Sequence, residues 1–179
     1  TDNASMAASN YQTAITAQET ALENLANAQQ EYAQMLVDNE KQKFENILHR
    51  LCNYEPVQYV LGYAWFCGKR FEVAPDVLIP RPETELLTEL AISEMQHRTV
   101  ALDLCCGSGC IGISLALAVP EADVHSADLS PDALAVTRRN AEALGAHITL
   151  HQGDLFAAVQ ELRFDLIIRG NARQHTDPL

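Results

Sequence analysis

The chain has 179 residues, 47% of them hydrophobic and 20% charged, and a formal net charge of −12 from 24 acidic and 12 basic residues. That balance suits a globular chain with one core and room for a small appendage, and a surface of this sign disfavours nucleic acid as a direct substrate, because Lys41, Lys43, Arg138 and Arg139 form no long cationic cluster. No apolar run could cross a bilayer, TDNASMAASN lacks the pattern of a signal peptide, and five cysteines are an odd number, so the expectation is a reduced, cytoplasmic protein with no membrane partner.

Residues 1–38 hold no proline or glycine, and Leu22, Leu25, Tyr32 and Leu36 recur at helical spacing. A helix is predicted from about residue 16, with the first dozen residues frayed and a second helix starting near Asn39, where Gln42 completes a capping box. From residue 54 to 85, aromatic and β-branched residues around Gly62 and Gly68 predict a short hairpin, in which Tyr59 and Trp65 are read as stabilising residues. Pro75, Pro80 and Pro82 then hold an extended segment, and a helix is predicted from residue 82 or 83 to about 96. Beyond it, strands predicted over 100–104, 123–128, 148–152 and 164–168 alternate with helices over 110–119, 131–144 and 155–162, the pattern of a parallel, doubly wound sheet. His125, His147 and His151 fall in or beside strands and are read as core or edge residues.

The stretch DLCCGSGC, residues 103–110, runs from the end of the first of these strands into the first helix. Open α/β sheets bind ligands at that place, on backbone N–H groups at a helix N-terminus. Zinc needs two separated ligand pairs, whereas Cys105, Cys106 and Cys110 crowd together with no second pair, so no metal is expected and the cysteines read as small apolar residues. Gly107, Gly109 and Gly112 fit G-x-G-x-x-G, and Asp128 ends the next strand where a ribose-binding acid belongs. Nicotinamide and S-adenosylmethionine binders share that pattern. Asp103, four residues before Gly107, favours the second as an acid near the cationic end of the cofactor, or else braces the loop.

EPVQYVLG (55–62), FCGKRFEV (66–73) and LIPRPETE (78–85), followed in order by LDLCCGSGCIGISLA, ADLSPDALAVTRRNA and LHQGDLF, resemble the HemK/PrmC family of release factor N5-glutamine methyltransferases. The resemblance runs from about residue 44 to 168. It implies an α/β fold, a partial Rossmann-like class I S-adenosylmethionine-dependent methyltransferase sheet over 86–179, preceded by a small helical N-terminal domain over 1–53 and a β-hairpin and proline-rich linker over 54–85. It implies S-adenosylmethionine as cofactor and peptide chain release factors as protein partners. Cys105, Cys106, Gly107, Ser108 and Gly109 would wrap its methionine part, with Asp103 near the cationic amino-acid end. Asp128 would hold the ribose, Asp154 and Leu155 would border the adenine, and Arg81, Pro82, Glu83 and Thr84 would line the same cleft.

The chain departs from the family at two places. Cys105 and Cys106 stand where the family has glycine and threonine. The family's catalytic Asn-Pro-Pro-Tyr falls by register on Gly170, Asn171, Ala172 and Arg173, none of which matches. That motif positions a weakly nucleophilic amide by accepting its hydrogens. With the motif altered and fewer strands than the family's sheet, the expectation is a C-terminally incomplete member in which cofactor binding outlives catalysis.

Overall fold

The computed structural model describes residues 2–170. With no proline or glycine to interrupt it, the N-terminal segment forms one helix of 51 residues, α1 (Asp2–Cys52). The expected fraying and the break at Asn39 are therefore absent. Once a helix has nucleated, each further residue adds a hydrogen bond, and a capping signal without a breaker does not stop it. Exposed pairs at helical spacing line it: Gln34 Nε2 donates to Asp38 Oδ1 at 3.0 Å, and Lys43 meets Glu40 at 2.8 Å.

The chain divides into two units, Thr1–Tyr54 and Glu55–Leu179. In the second, a single turn of helix, α2 (Val57–Leu61), ends at Gly62 in the left-handed conformation (φ 76°). Gly62 thus caps a helix, and the hairpin lies wholly beyond it. Strands β1 (Tyr63–Phe66) and β2 (Lys69–Glu72) pair antiparallel, Phe66 opposite Lys69. The two residues between them, Cys67 and Gly68, both take positive φ (47° and 70°), the condition for a turn whose twist matches the strands. Glu85 fastens this turn by accepting the Cys67 N–H at 3.0 Å. Ala64, Phe66, Phe71 and Val73 are buried, and the Phe66 and Phe71 rings meet edge to face at 6.0 Å. Tyr59 steadies the segment that follows through its hydroxyl, which donates to Val77 O at 2.7 Å. Trp65 does not share that role; it is 65% exposed.

Helix α3 (Pro82–Glu94) starts with proline at its first position, where no N–H is needed, and leads to a four-stranded parallel sheet. Its strands are β3 (Val100–Leu104), β4 (Asp123–Asp128), β5 (Thr149–Gln152) and β6 (Leu166–Arg169), in the order β5-β4-β3-β6. The crossovers are α4 (Cys110–Ala118), α5 (Pro131–Leu144, capped by the Ser130 hydroxyl and closed by Gly145) and a 3-10 turn (Leu155–Val159). An α-helix was expected in place of that turn. Leu155 enters with a left-handed backbone (φ 49°), which is outside the α-helical region, and Gly153 packs directly under Ala158.

Central strand β3 is buried on both faces, as parallel strands are. Ala101 packs with Ile113, Leu115 and Val124 on the α4 side, while Leu102 and Leu104 pack with Ala127 and Val159 on the other. His125 and His151 lie side by side across β4 and β5, Nδ1 to Nε2 2.8 Å, with Phe164 edge-on to His125. They are sheet residues, away from the glycine loop.

Candidate functional site

The turn between β3 and α4 is set by its own backbone chemistry. Cys105 (φ 61°), Gly107 (φ 55°) and Gly109 (φ 76°) alternate in the left-handed region, and Cys106 N donates to Ala127 O at 3.0 Å, tying the turn to β4. The three glycines of the motif do different work. A side chain at Gly109 would strike Thr137 and Ile113, and one at Gly112 would collide with Ser126 and crowd Asp103. Gly109 thus lets the start of α4 sit close on α5, and Gly112 lets α4 sit close on the sheet. Gly107 instead has open space where a side chain would be, so its main chain is accessible to a ligand.

Two cavities, of about 230 and 50 Å³, open on either side of this turn and share Leu78, Cys105 and Gly107 in their walls. Asp128, Ser130, Asp154 and Leu155 line the larger, and Arg81, Thr84, Cys106, Ser108 and Gly170 line the smaller. Both lie at the carboxyl ends of β3 and β4, where a doubly wound sheet places its ligand. An open groove by Arg138 and His147 is larger, about 660 Å³, but sits at the opposite ends of the strands with no glycine turn.

Asp128 holds the turn: its Oδ2 accepts the Gly107 N–H at 2.9 Å and its Oδ1 accepts the Ser130 N–H at 3.0 Å. Each oxygen keeps a lone pair for a donor in the cavity. Asp103 lies beneath the loop, fully buried, and lines neither cavity; its Oδ2 accepts the Gly112 N–H at 2.9 Å while Oδ1 has no partner. Burial, opposed by the Gly112 bond and reinforced by nearby Asp128, pushes its carboxyl up to about 7. Pro82 and Glu83 are exposed at the start of α3 and, like Gly109, line neither cavity.

Burial disfavours the thiolate form of the three cysteines in this loop. Burial raises the Cys106 thiol well above its usual range and pushes that of Cys110 up to about 12. Cys105, in both cavity walls, is also shifted upward, by burial first and then by Asp128.

Two polar residues absent from the sequence-based reading support the loop from below. Thr137 Oγ1 donates to Gly107 O at 2.9 Å, and Asn140 Nδ2 donates to Ser108 O at 2.9 Å. Asn140 also clamps the hairpin, its Oδ1 accepting the Glu72 N–H at 2.7 Å and its Nδ2 donating to Glu72 O at 3.1 Å. Their spacing of three on the buried face of α5, in TRRNAEAL, was the available signal. Of the family's catalytic positions only Gly170 is described, at the end of β6; Asn171, Ala172 and Arg173 lie outside the described residues.

Such a turn in such a sheet defines the class: a Rossmann-like domain with its glycine turn at the place where open α/β sheets take a ligand. Residues 67–171 match the family described as Methyltransferase small domain, and the chain belongs to that family. It is 46% identical over 130 residues to the release factor glutamine methyltransferase of Bacteroides thetaiotaomicron, covering 72% of this chain and 47% of that one. To the protein of the same name from Geobacter sulfurreducens it is 45% identical over 122 residues, covering 68% and 43%. The chain thus spans about half the length of the curated relatives it matches. Among solved structures, a T. thermophilus 16S rRNA methyltransferase in complex with AdoMet and guanosine superposes with a TM-score of 0.52 at 22% identity, over 64% of this chain and 33% of that one. What the two share is the class I methyltransferase fold.

Proposed function

We propose that the cleft around Gly107 binds S-adenosylmethionine, and that the protein to which this domain belongs methylates the side-chain amide of a glutamine in peptide chain release factors in the cytoplasm. The observation that carries the reading is the open main chain of Gly107 beside the Asp128 carboxylate, at the carboxyl ends of β3 and β4. Relatives named for this activity, 46% and 45% identical, supply the reaction and the substrate class.

The residues present fit the cofactor. Asp128 offers two acceptor oxygens to a ribose diol. Asp154 and Leu155 border the larger cavity on the far side and suit an adenine ring. Cys105 to Ser108, with Arg81 and Thr84, enclose the smaller cavity for the methionine part. Asp103 braces the helix start from below, through Gly112, and does not touch the cofactor. S-adenosylmethionine supplies a methyl group on a sulfonium. The chain's own task is to exclude water and aim an amide nitrogen at that methyl.

That aim is where this chain is weak. Gly170 presents no side-chain acceptor to an amide hydrogen, and its neighbour Arg169 bears on the Cys105 thiol as a positive charge, placing a cation beside the cleft. A side chain at Gly170 would meet Ile111 at 3.6 Å, ordinary contact, so the position has room for one. In an assay of methyl transfer from labelled S-adenosylmethionine to a release factor, the combined replacement Gly170→Asn, Asn171→Pro, Ala172→Pro and Arg173→Tyr gives at least about 100-fold more product than the chain as it stands. Equal, robust transfer by the unaltered chain contradicts this account of the motif.

A further inference from the structure

We propose that the outer face and free edge of the β1–β2 hairpin dock an extended, acidic segment of a protein partner, which adds to β1 as a further strand and sets a carboxylate against Arg70.

The pairing register decides which backbone groups are free. Phe66 opposite Lys69 closes the two-residue turn, and the Val73 N–H bonds to Gly62 O, so Gly62, Ala64 and Phe66 turn their polar groups inward to β2. Tyr63 and Trp65 turn theirs to the other edge of β1, where no strand pairs with them among the described residues. The corresponding edge of β2 is already occupied, since the Glu72 N–H and C=O are both held by Asn140. One edge of the hairpin is clamped and the other is open. An open edge of unpaired N–H and C=O groups is a template for another extended chain.

The face above that edge is equally specific. Tyr63 and Trp65 alternate on it, with Trp65 65% exposed, and the Arg70 guanidinium lies 4.0 Å over the Tyr63 ring, leaning toward the open edge. Among the described residues Arg70 forms no ion pair, although the chain carries 24 acids against 12 bases. Its neighbour Glu72 is taken up by Arg139 in a two-pronged pair (2.7 and 3.0 Å). On this face Arg70 is therefore the cation left for an incoming carboxylate, and the net acidity of the chain disfavours such a segment elsewhere. Exposed tryptophan and arginine on a rigid support are the residue types that anchor protein interfaces. The Asn140 clamp and the Glu85 bond to the turn provide the rigidity. This surface stands apart from the cleft, so the proposal does not depend on the methyl-transfer reading.

Trp65 is the only tryptophan in the chain, so its fluorescence reports on this face directly. The full chain is titrated with a short peptide in which glutamate alternates with valine. The expected result is a saturable blue shift that weakens with salt, disappears when a central residue of the peptide is replaced by proline, and weakens roughly tenfold in Arg70→Glu. Arg70→Gln, read beside circular dichroism, serves if the reversed charge disturbs the hairpin. The proposal is overturned if the proline peptide binds as well as its parent, or if both Arg70 variants keep full affinity. It is equally overturned if a lysine–valine peptide or single-stranded DNA binds more tightly, if the signal follows self-association of the chain, or if no saturable shift occurs up to about 1 mM.

Discussion

Cys105 holds a backbone conformation (φ 61°) that costs an L-residue roughly 1–2 kcal/mol, at the position where the resemblance puts glycine. Glycine's greater freedom in the unfolded chain offsets about 0.5–1 kcal/mol of that. Cys105→Gly should therefore stabilise the domain by roughly 0.5–1 kcal/mol, seen as a higher urea midpoint; a lower midpoint contradicts the strain. Asp103 gives a second test. Its carboxyl is raised to about 7 in the folded chain, above its unfolded value of 3.8, so the folded state binds the extra proton between those limits. Stability from this group is fully present below pH 3.8 and is lost as pH rises through 7, at about 1.4 kcal/mol per pKa unit. Asp103→Asn should raise the melting temperature at pH 8 and lose that advantage near pH 4; an advantage that is constant with pH contradicts the assignment. The loop itself was legible in DLCCGSGC, because glycine spacing reports a backbone requirement. That Asp103 faces the helix rather than the cleft was not, because an acid at a strand end reads the same whichever face it is on.

At the scale of elements, β3, β4 and α5 were legible to the residue, since buried strands and a proline-to-glycine helix carry their boundaries in sequence. The break expected in α1 and the helix expected over 155–162 were not found, because capping signals and periodicity do not weigh a competing continuation or a left-handed residue at the start of the segment. The link between hairpin and sheet was invisible, since Glu72 and Asn140 are 68 residues apart. Asn140→Ala removes the partners of Glu72 N–H, Glu72 O and Ser108 O together, and should cost about 2–3 kcal/mol. The loss should also raise hydrogen exchange at Glu72 and in the Cys105–Gly109 turn; faster exchange confined to α5 contradicts the clamp.

For the molecule as a whole, the sheet places two cavities on either side of one glycine turn, and function follows from what those cavities hold. The glycine pattern alone left a nicotinamide cofactor open; the FCGKRFEV and IPRPETE segments, then the match over residues 67–171, favour a methyltransferase. Binding should survive even where transfer is impaired, because the larger cavity, with Asp128, Asp154 and Leu155 in its wall, does not include Gly170. The most direct test is calorimetric titration of S-adenosylmethionine into the folded chain, with NADH as the control. The account predicts saturable, one-site binding of S-adenosylmethionine and none of NADH. No binding of S-adenosylmethionine to a chain that circular dichroism shows to be folded, or preference for NADH, would contradict it.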